Sequence, residues 1–265
     1  MKGKKVSLIG GAGFIGTNFA ERLESRGVDF EIIDLKKSKR FSKQSKIGDV
    51  RNLKEIKSLI SGDIVVNLAA VHRDDVKDKN DYHRTNVVGA INVIKSCEKK
   101  KINRIVFISS VAVYGFASPN TSEKGVINPF NDYGVTKYQA ELEHIKWQKK
   151  GDNFLTIVRP TVIFGLGNRG NVYNLFNQIY KKRFVMIGAG KNKKSMAYVE
   201  NVAAFLEECL ENPDKHSVFN YVDGPDFTMK ELVLNIKNVL FKDIRIGITI
   251  PVFFGLFLGF LADTL

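Results

Sequence analysis

Short apolar runs alternate with amphipathic stretches along the first 160 residues of the chain. The runs are continuously apolar, which is typical of strands buried on both faces of a parallel sheet. They predict strands at residues 5–10, 29–34, 63–70, 104–110 and 154–160. Apolar residues at helical spacing predict helices at 14–27, 82–100 and 132–150. Strands that alternate with helices indicate an α/β fold with a doubly wound parallel sheet, which binds its ligand at the carboxyl ends of the strands.

The alternation of predicted strands and helices becomes less regular after residue 165. The pattern there predicts three further helices and one strand, at 171–183, 201–212, 228–240 and 217–222. Thr228 and Glu231 have the spacing of a capping box at the start of the last helix. We therefore expect one domain over 1–165 and a smaller C-terminal substrate-binding lobe over 166–265, interleaved with the last strands of the sheet.

The apolar tail at 246–262 contains no charged residue, and its length is at the lower edge of what spans a bilayer. It includes a G-x-x-x-G pattern between Gly255 and Gly259. Pro251 divides it and suits the first turn of a helix that follows a strand. We expect a strand and a buried or interface helix, with a membrane-associated C-terminus as the alternative.

Composition and charge narrow the class of protein. The 265 residues are 44% hydrophobic and 26% charged, as in ordinary globular proteins. The net charge of +13 comes from scattered lysine clusters, which suit solvated loops and anionic ligands such as nucleotide phosphates. A basic stripe with stacking aromatics is missing, so we expect no nucleic-acid partner. Cys97 and Cys209 are too few for a disulfide framework, and with no signal segment at the N-terminus they predict a cytoplasmic protein with reduced thiols.

A glycine turn joins the first predicted strand to the first helix. Gly10, Gly13 and Gly16 have the G-x-x-G-x-x-G spacing of a dinucleotide-binding turn. The first glycine permits the tight turn, the second lets the backbone approach a pyrophosphate, and the third lets helix and strand pack closely. The helix N-terminus adds N–H donors and a favourable dipole. The turn identifies residues 1–165 as a Rossmann-like dinucleotide-binding domain.

Asp34 ends the second predicted strand, where a carboxylate can accept hydrogen bonds from both adenosine ribose hydroxyls. It would repel a 2′-phosphate, so NAD is favoured over NADP. NADP stays open, because Lys36, Lys37 and Arg40 follow closely. Asp49 is a second candidate, for the adenine amino group, although such a residue on its own is more often a helix cap.

Tyr133 and Lys137 lie four residues apart in a predicted helix and therefore share one face. A tyrosine with a pKa near 10 is a poor base at neutral pH, but a nearby ammonium and a nicotinamide cation would lower that pKa. Such a phenolate can exchange a proton with a sugar hydroxyl or ketone while hydride moves to or from NAD. A serine hydroxyl held nearby would orient the same oxygen.

The chain resembles a known family in a series of motifs. They are, in order along the chain, GGAGFIG, GDVRN, NLAA, TNVVGAINV, SSVAVYG, YGVTK and RPTVIFG. The order is similar to that of the extended short-chain dehydrogenases/reductases, within them to the NDP-sugar epimerase/dehydratase group. The likeness covers residues 4–240. It implies that Ser110 is the catalytic hydroxyl, Tyr133 the acid/base and Lys137 its partner, with Tyr114 in packing or substrate lining.

The same resemblance implies the cofactor contacts. Asn86 would lie near the cofactor channel, and Leu68 and Ala69 would line the pocket on the nicotinamide side. The implied cofactor-binding residues are Gly10, Gly13, Phe14, Ile15, Gly16, Asp34, Asp49, Val50, Leu68, Ala69, Asn86, Ser109, Tyr133, Lys137 and Pro160.

The type of sugar chemistry depends on Val111 and Ala112, which lie between the serine and the following tyrosine. Family members that dehydrate or decarboxylate carry acids there, and the 3,5-epimerase/reductases use a cysteine and a histidine. Valine and alanine cannot transfer a proton, so hydride and proton exchange at one carbon, C4, remains. The expected function is an NAD-dependent NDP-sugar 4-epimerase in polysaccharide biosynthesis. An NAD(P)H-dependent 4-ketoreductase is the alternative; a steroid- or flavonoid-type dehydrogenase and a non-catalytic nucleotide-sensing module are the remaining ones.

The substrate side departs from the family pattern. Val162 stands where many epimerases carry a diphosphate-binding asparagine, and Lys194 stands where an arginine is usual. Lysine keeps the charge but loses the bidentate fork. Ser110, Tyr133, Asn174, Arg169 and Lys194 are therefore the expected substrate contacts, with Asn171 as the alternative to Asn174. The chain also ends earlier than most relatives, so we expect either a truncated C-terminus or a substrate held differently.

Partners and metals complete the expectations. The partner expected is a UDP- or dTDP-linked sugar. Relatives often dimerise through a four-helix bundle, and the helices at 82–100 and 132–150 are the candidates for a homodimer. His72 is a pocket residue or an ordinary loop histidine. The histidines show no metal-ligand spacing, so no metal is expected.

Overall fold

A computed structural model describes residues 3–73 and 76–255 of the chain. The strands are β1 (Val6–Ile9), β2 (Phe30–Asp34), β3 (Ser45–Ile47), β4 (Ile64–Asn67), β5 (Arg104–Ile108), β6 (Phe154–Pro160), β7 (Val162–Phe164), β8 (Met186–Ile187), β9 (Lys193–Tyr198), β10 (His216–Tyr221), β11 (Asp223–Thr228) and β12 (Thr249–Ile250). The α-helices are α1 (Phe14–Ser25), α2 (Leu53–Leu59), α3 (Asn80–Tyr82), α4 (Gly89–Lys100), α5 (Asp132–Gln148), α6 (Asn171–Tyr180), α7 (Val199–Glu211) and α8 (Met229–Phe241).

The chain divides into two compact units. The first contains the residues up to Thr161 and the segment Ala197–Tyr221. The second contains Val162–Met196 and the described residues from Val222 onward. The strand predicted at 217–222 is β10, and it belongs to the first unit.

The first unit is built on a seven-stranded parallel sheet in the order β3-β2-β1-β4-β5-β6-β10. The order reverses direction between β1 and β4, which is where doubly wound sheets bind their ligands. Both neighbours pair with β1 in register, since Val6 lies opposite Phe30 on one side and Ile64 on the other. The α/β fold class and the parallel sheet predicted from the sequence are confirmed.

The predicted core strands are buried along most of their length, and helices cover them. The largest side chains of the core that are almost fully buried include Trp147, Phe19 and Phe107. Cys97 and Cys209 are also buried, and both are free thiols. Burial raises the pKa of each thiol to about 12, so neither is a reactive thiolate at neutral pH.

The helix predicted at 82–100 is interrupted in the structure. A π-helical segment, His83–Val88, joins α3 to α4. Such segments widen the helix locally and are frequent at functional sites. A 3₁₀ turn, Val111–Tyr114, follows β5 and was not predicted.

The second unit has a three-stranded sheet in the order β11-β9-β7 and a two-stranded parallel pair of β12 with β8. Its core contains Ile179, Met186, Leu232, Val233 and Ile236. The capping box predicted at Thr228 and Glu231 is present in both directions at the start of α8. A single turn begins after Pro251, with the Gly255 N–H donating to the Pro251 carbonyl. The rest of the predicted tail helix, 256–262, lies outside the described residues; within those that are described, no helix has the length and apolarity to cross a membrane.

A buried carboxylate, Glu31, connects the strands at the amino-terminal side of the sheet. Its oxygens accept hydrogen bonds of 2.6 Å from Ser7 Oγ, Lys46 Nζ, and both the N–H and the hydroxyl of Ser61. Burial raises the pKa of Glu31, but the hydrogen bonds from Lys46, Ser61 and Ser7 outweigh it and lower the pKa to about 2. The ionised form therefore stabilises the fold above the unfolded-state pKa, and that contribution is lost as the pH falls towards 2.

We expect Glu31→Gln to weaken this acid dependence. Between pH 6 and pH 3.5 the free energy of unfolding should fall by about 1 kcal/mol more in the original chain than in the variant. Urea unfolding at the two pH values measures the difference. Glu143→Gln is the matched control, because Glu143 pairs with Lys146 on an exposed helix face. Equal losses in the Glu31 variant and the original chain would contradict the assignment.

Candidate active site

The glycine turn after β1 packs closely against the segment that follows β4 and against the start of α1. Gly10 has φ +76°, and a Cβ there would lie 2.7 Å from the backbone N of Ala69. A Cβ on Gly16 would lie 2.5 Å from Cα of Gly11, so α1 sits directly on the turn. Gly13 is the N-cap of α1, which leaves the first N–H groups of the helix directed out of the turn. The first and third glycines therefore have the close contacts that the sequence motif predicts.

Asp34 reaches the same turn from the end of β2. One carboxylate oxygen accepts a hydrogen bond from the Ala12 N–H at 3.0 Å. The glycine turn and the carboxylate expected to bind ribose therefore lie together. Asp49 is not the cap of α2, because Asn52 caps that helix. Hydrogen bonds from Arg51 lower the pKa of Asp49, so its adenine contact, which stays a prediction, would involve an ion-paired carboxylate.

The segment after β4 forms another side of the site. Leu68 and Ala69 lie against Gly10, and Asn86 is buried in the π-helical segment. Asn86 Oδ1 accepts from the Val71 N–H at 2.8 Å, and Nδ2 donates to the Val71 carbonyl at 3.0 Å. The same Nδ2 donates to Thr136 Oγ1 on α5 at 3.0 Å. Asn86 therefore connects the π-helical segment, the β4 loop and the helix that carries the predicted acid/base.

These residues fit a dinucleotide. Gly10 lets the turn approach the backbone of Ala69 more closely than any side chain would allow, and Asp34 offers acceptor oxygens at the turn. Ser109, at the end of β5, is 3% exposed, and its hydroxyl lacks a hydrogen-bond partner within the described parts of the chain. A buried hydroxyl without a partner is unfavourable, so a bound group that supplies one would stabilise it.

Ser110 and Tyr133 are brought together in the structure. Ser110 caps the 3₁₀ turn, its Oγ accepting from the Ala112 N–H at 3.1 Å, and its hydroxyl lies close enough to Tyr133 to act on the pKa of that phenol. Tyr133 lies in the first turn of α5, which Asn131 caps through the Gly134 N–H. Gly134 is required there, since a Cβ would lie 2.5 Å from the Ala112 carbonyl.

Lys137 lies one turn further along α5 and is 1% exposed. Its Nζ donates to the Ile108 carbonyl at 2.5 Å, which holds the ammonium at the end of β5. Burial lowers the pKa of Lys137 to about 7. Burial also raises the pKa of Tyr133, and the hydrogen bond with Ser110 acts in the opposite direction. The lowered tyrosine pKa expected from the sequence thus needs the charges of a loaded site.

The remaining sequence candidates are distributed differently. Phe14 and Ile15 begin α1, buried Val50 follows β3, and Pro160 ends β6. Tyr114 is buried and hydrogen-bonded to Asn220, in agreement with a packing role rather than that of a base. His72 lies exposed in the loop after β4.

Three substrate candidates lie in the second unit. Asn174 is on α6, Arg169 precedes that helix, and Lys194 is on β9. All three side chains are exposed, so each is accessible to an anionic group. Their role in diphosphate binding stays a prediction. The sequence patterns did not indicate Thr136, whose partner Asn86 is 50 residues away; only its place next to Lys137 could have suggested it.

The family described as NAD dependent epimerase/dehydratase matches the chain over residues 6–221. The chain belongs to this family. Membership confirms the resemblance found in the motifs, the prediction that the protein is an enzyme of the epimerase type, and NAD as the cofactor.

Individual relatives support the same grouping. N-acetyl-α-D-glucosaminyl-diphospho-ditrans,octacis-undecaprenol 4-epimerase of Escherichia coli O157:H7 is 44% identical over 98% of this chain and 79% of its own length. UDP-glucose 4-epimerase of Vibrio cholerae is 27% identical over 90% of this chain and 76% of its own length. The structure of UDP-N-acetylglucosamine 4-epimerase from Bacillus cereus has a TM-score of 0.81 at 22% identity, covering 94% of this chain and 84% of that one. This structural likeness shows the fold.

We expect Gly10→Ala to abolish NAD binding, because the added Cβ meets the backbone of Ala69. Gly27→Ala is the matched control: Gly27 has φ +66°, but a Cβ there meets nothing within 4 Å. The control should lose about 1 kcal/mol of stability from backbone strain and keep its NAD affinity. Fluorescence titration with NAD and urea unfolding separate the two effects. Equal NAD affinity in both variants would contradict the role of Gly10.

Proposed function

We propose that the protein is a 4-epimerase that acts on N-acetylglucosamine linked through a diphosphate to a polyprenol. The observation that carries the reaction type is Tyr133 beside the Ser110 hydroxyl, with Lys137 buried one turn further along the same helix. The substrate class is supported by the relative of 44% identity, whose name specifies such a lipid-linked sugar. The nucleotide-sugar 4-epimerase from Vibrio cholerae is less similar, at 27%.

The residues of the chain would handle the proton. Tyr133 takes the proton of the C4 hydroxyl and later returns it, and Ser110 holds the same oxygen by a hydrogen bond. Lys137 supplies the positive charge that favours the phenolate. NAD, when bound, supplies the acceptor for the C4 hydride and the donor that returns it. Return to the opposite face of a 4-keto sugar inverts C4.

The side chains between Ser110 and Tyr114 support chemistry at one carbon. Val111 and Ala112 form the start of the 3₁₀ turn and have no group that transfers a proton. Dehydration and decarboxylation need a further acid or base at the sugar. The arrangement therefore favours epimerisation at C4 over these reactions.

An exposed aromatic pair supports a lipid carrier. Phe116 and Phe130 stack with ring centroids 4.4 Å apart, although they are 88% and 60% exposed. Phe116 follows Ser110 by six residues and Phe130 precedes Tyr133 by three. Exposed apolar surface next to a site is typical of binding surfaces. A polyprenyl chain would cover this pair, whereas a nucleotide would not need it.

Further parts of the proposal concern the setting of the enzyme. We propose NAD rather than NADP because Asp34 lies at the glycine turn. Arg169, Asn174 and Lys194 are the proposed contacts of the diphosphate. A homodimer through α4 and α5, a cytoplasmic location and a role in polysaccharide biosynthesis belong to the same proposal. Membrane contact of the apolar tail is the alternative to a buried or interface helix.

We expect Tyr133→Phe to lower kcat by at least about 100-fold, because it removes the acid/base group. Ser110→Ala should lower kcat less, since it leaves the phenol in place. Val135→Ala, on the exposed face of the same helical turn, is the control. Epimerisation followed by product stereochemistry measures all three. Intact turnover by Tyr133→Phe would overturn the catalytic assignment.

A substrate panel tests the proposed reaction. Polyprenyl-diphospho-N-acetylglucosamine, UDP-N-acetylglucosamine and UDP-glucose are supplied with and without added cofactor, and products are identified by mass and stereochemistry. We expect the 4-epimer of the lipid-linked sugar without net consumption of NADH. Steady oxidation of NAD(P)H on a 4-keto sugar would instead establish a ketoreductase.

Replacing Phe116 and Phe130 together by alanine tests the carrier. We expect KM for the lipid-linked sugar to rise about 10-fold, as the loss of roughly 1.4 kcal/mol of apolar contact predicts. KM for UDP-N-acetylglucosamine, if it is turned over, should not change. Equal effects on both substrates would contradict a lipid-specific role.

A further inference from the structure

A buried ion pair lies behind the catalytic lysine. Glu141 is completely buried on α5, and the Arg159 side chain, on β6, is 6% exposed. Arg159 Nη2 donates to Oε2 of Glu141 at 2.6 Å, and Arg159 Nε donates to Oε1 at 2.9 Å. The two groups therefore form a bidentate fork, the geometry that fixes an arginine and a carboxylate most rigidly.

Glu141 continues the stripe that carries the reaction. Tyr133, Lys137 and Glu141 are spaced by four residues and share one face of α5. The Lys137 ammonium lies 4.2 Å from the centroid of the Phe107 ring and donates to the β5 backbone. His144, one turn beyond, also stacks on Phe107, at 4.2 Å.

The charges that face Lys137 have different roles. Burial lowers the pKa of Lys137, and the charge of Glu141 raises it. Burial holds the pKa of His144 at about 4, so this imidazole is neutral at neutral pH. Tyr133 faces Lys137 from the same helix, and β5 contributes only a carbonyl and an aromatic ring. Glu141 is thus the anionic group one turn from Lys137 on the same helix, and β6 holds it through Arg159.

The other end of the pair holds the segment that begins at Ser110. Arg159 Nη1 donates to the Tyr114 hydroxyl at 2.6 Å and to the Glu123 carbonyl at 3.4 Å. The Tyr114 hydroxyl donates in turn to Asn220 Oδ1 at 2.8 Å. Arg159 therefore contacts both Glu141 and the loop that follows the catalytic serine.

Stability alone does not account for such a pair. The free energy needed to remove two charges from water is close to the attraction that the buried pair gains. Apolar residues of similar volume can therefore often replace such a pair without lowering the stability of the protein. A fork placed between the catalytic lysine and the serine loop has a second use.

We propose that Glu141 and Arg159 are positioning residues for the reaction: their fork fixes α5, which carries Tyr133 and Lys137, and the turn that begins at Ser110 in their relative places. The inference rests on the proposed role of Lys137 and Tyr133. It assigns to the pair a function in catalysis without contact with substrate or cofactor.

The test removes the charges while keeping the volume. Glu141→Gln removes the anion alone, and the double change Glu141→Leu with Arg159→Met removes both charges, so that no unpaired charge is left buried. Glu141→Asp keeps the charge, and Glu143→Gln on the exposed face of α5 is the control. Thermal unfolding first establishes which variants fold.

The first readout is the ionisation of Tyr133, which needs no substrate. Ultraviolet difference titration follows phenolate formation, and the same chain with Tyr133→Phe is subtracted to isolate this tyrosine from the others. We expect the Tyr133 pKa to rise by about one unit in the double variant, because the Ser110 hydroxyl and the Lys137 ammonium are no longer held beside the phenol. Glu141→Asp should restore most of the shift.

The second readout is kcat and KM of epimerisation over a range of pH. Without the fork the reacting groups are less well placed, so kcat should fall about 10-fold at each pH while KM changes little. A folded double variant with the titration and profile of the original chain would overturn the proposal. A double variant that does not fold would also overturn it, because the pair would then be structural. A failure of the proposed function itself would be seen separately, as full turnover by the Tyr133→Phe variant.

Discussion

The pairing of β1 with a parallel neighbour on each side is the constraint on which the site depends. Because β2 and β4 both run in register with β1, the three strands end at one edge of the sheet. The chain leaves the sheet at this edge after each strand: Gly10 follows β1, Asp34 ends β2 and Leu68 follows β4. The close approach of Gly10 to the backbone of Ala69 is possible only because glycine has no Cβ and tolerates φ +76°. A slip of β1 against β2 would separate the glycine turn from Asp34.

Two of the buried carboxylates, Glu31 on β2 and Glu141 on α5, have different surroundings. Glu31 is surrounded by hydrogen-bond donors from three segments, and the outcome is a structural anion. Glu141 has one strong partner, Arg159, which joins α5 to β6. The same residue type thus connects strands in one place and a helix with a strand in the other.

The sequence predicted the fold well because its signals are local. Continuous apolar runs mark β1, β2, β4, β5 and β6, and the four-residue spacing of Tyr133 and Lys137 is visible without a structure. Strands of two or three residues, such as β8 and β12, carry too few side chains to show a period. The hydrogen bond between Asn86 and Thr136 and the fork between Glu141 and Arg159 depend on tertiary packing across many residues, so no spacing rule reveals them. The π-helical segment was not predicted either, because its apolar pattern is that of an ordinary α-helix.

The amide of Asn86 has a consequence for how the site can change. It both accepts from and donates to residue 71, as a neighbouring strand would, and its remaining donor hydrogen goes to Thr136. One side chain therefore joins three segments by hydrogen bonds. An aspartate has the same shape but cannot donate, so it would lose the hydrogen bonds to the Val71 carbonyl and to Thr136 together. One amide group thus holds both the loop after β4 and helix α5. A displacement of either segment would break hydrogen bonds of Asn86.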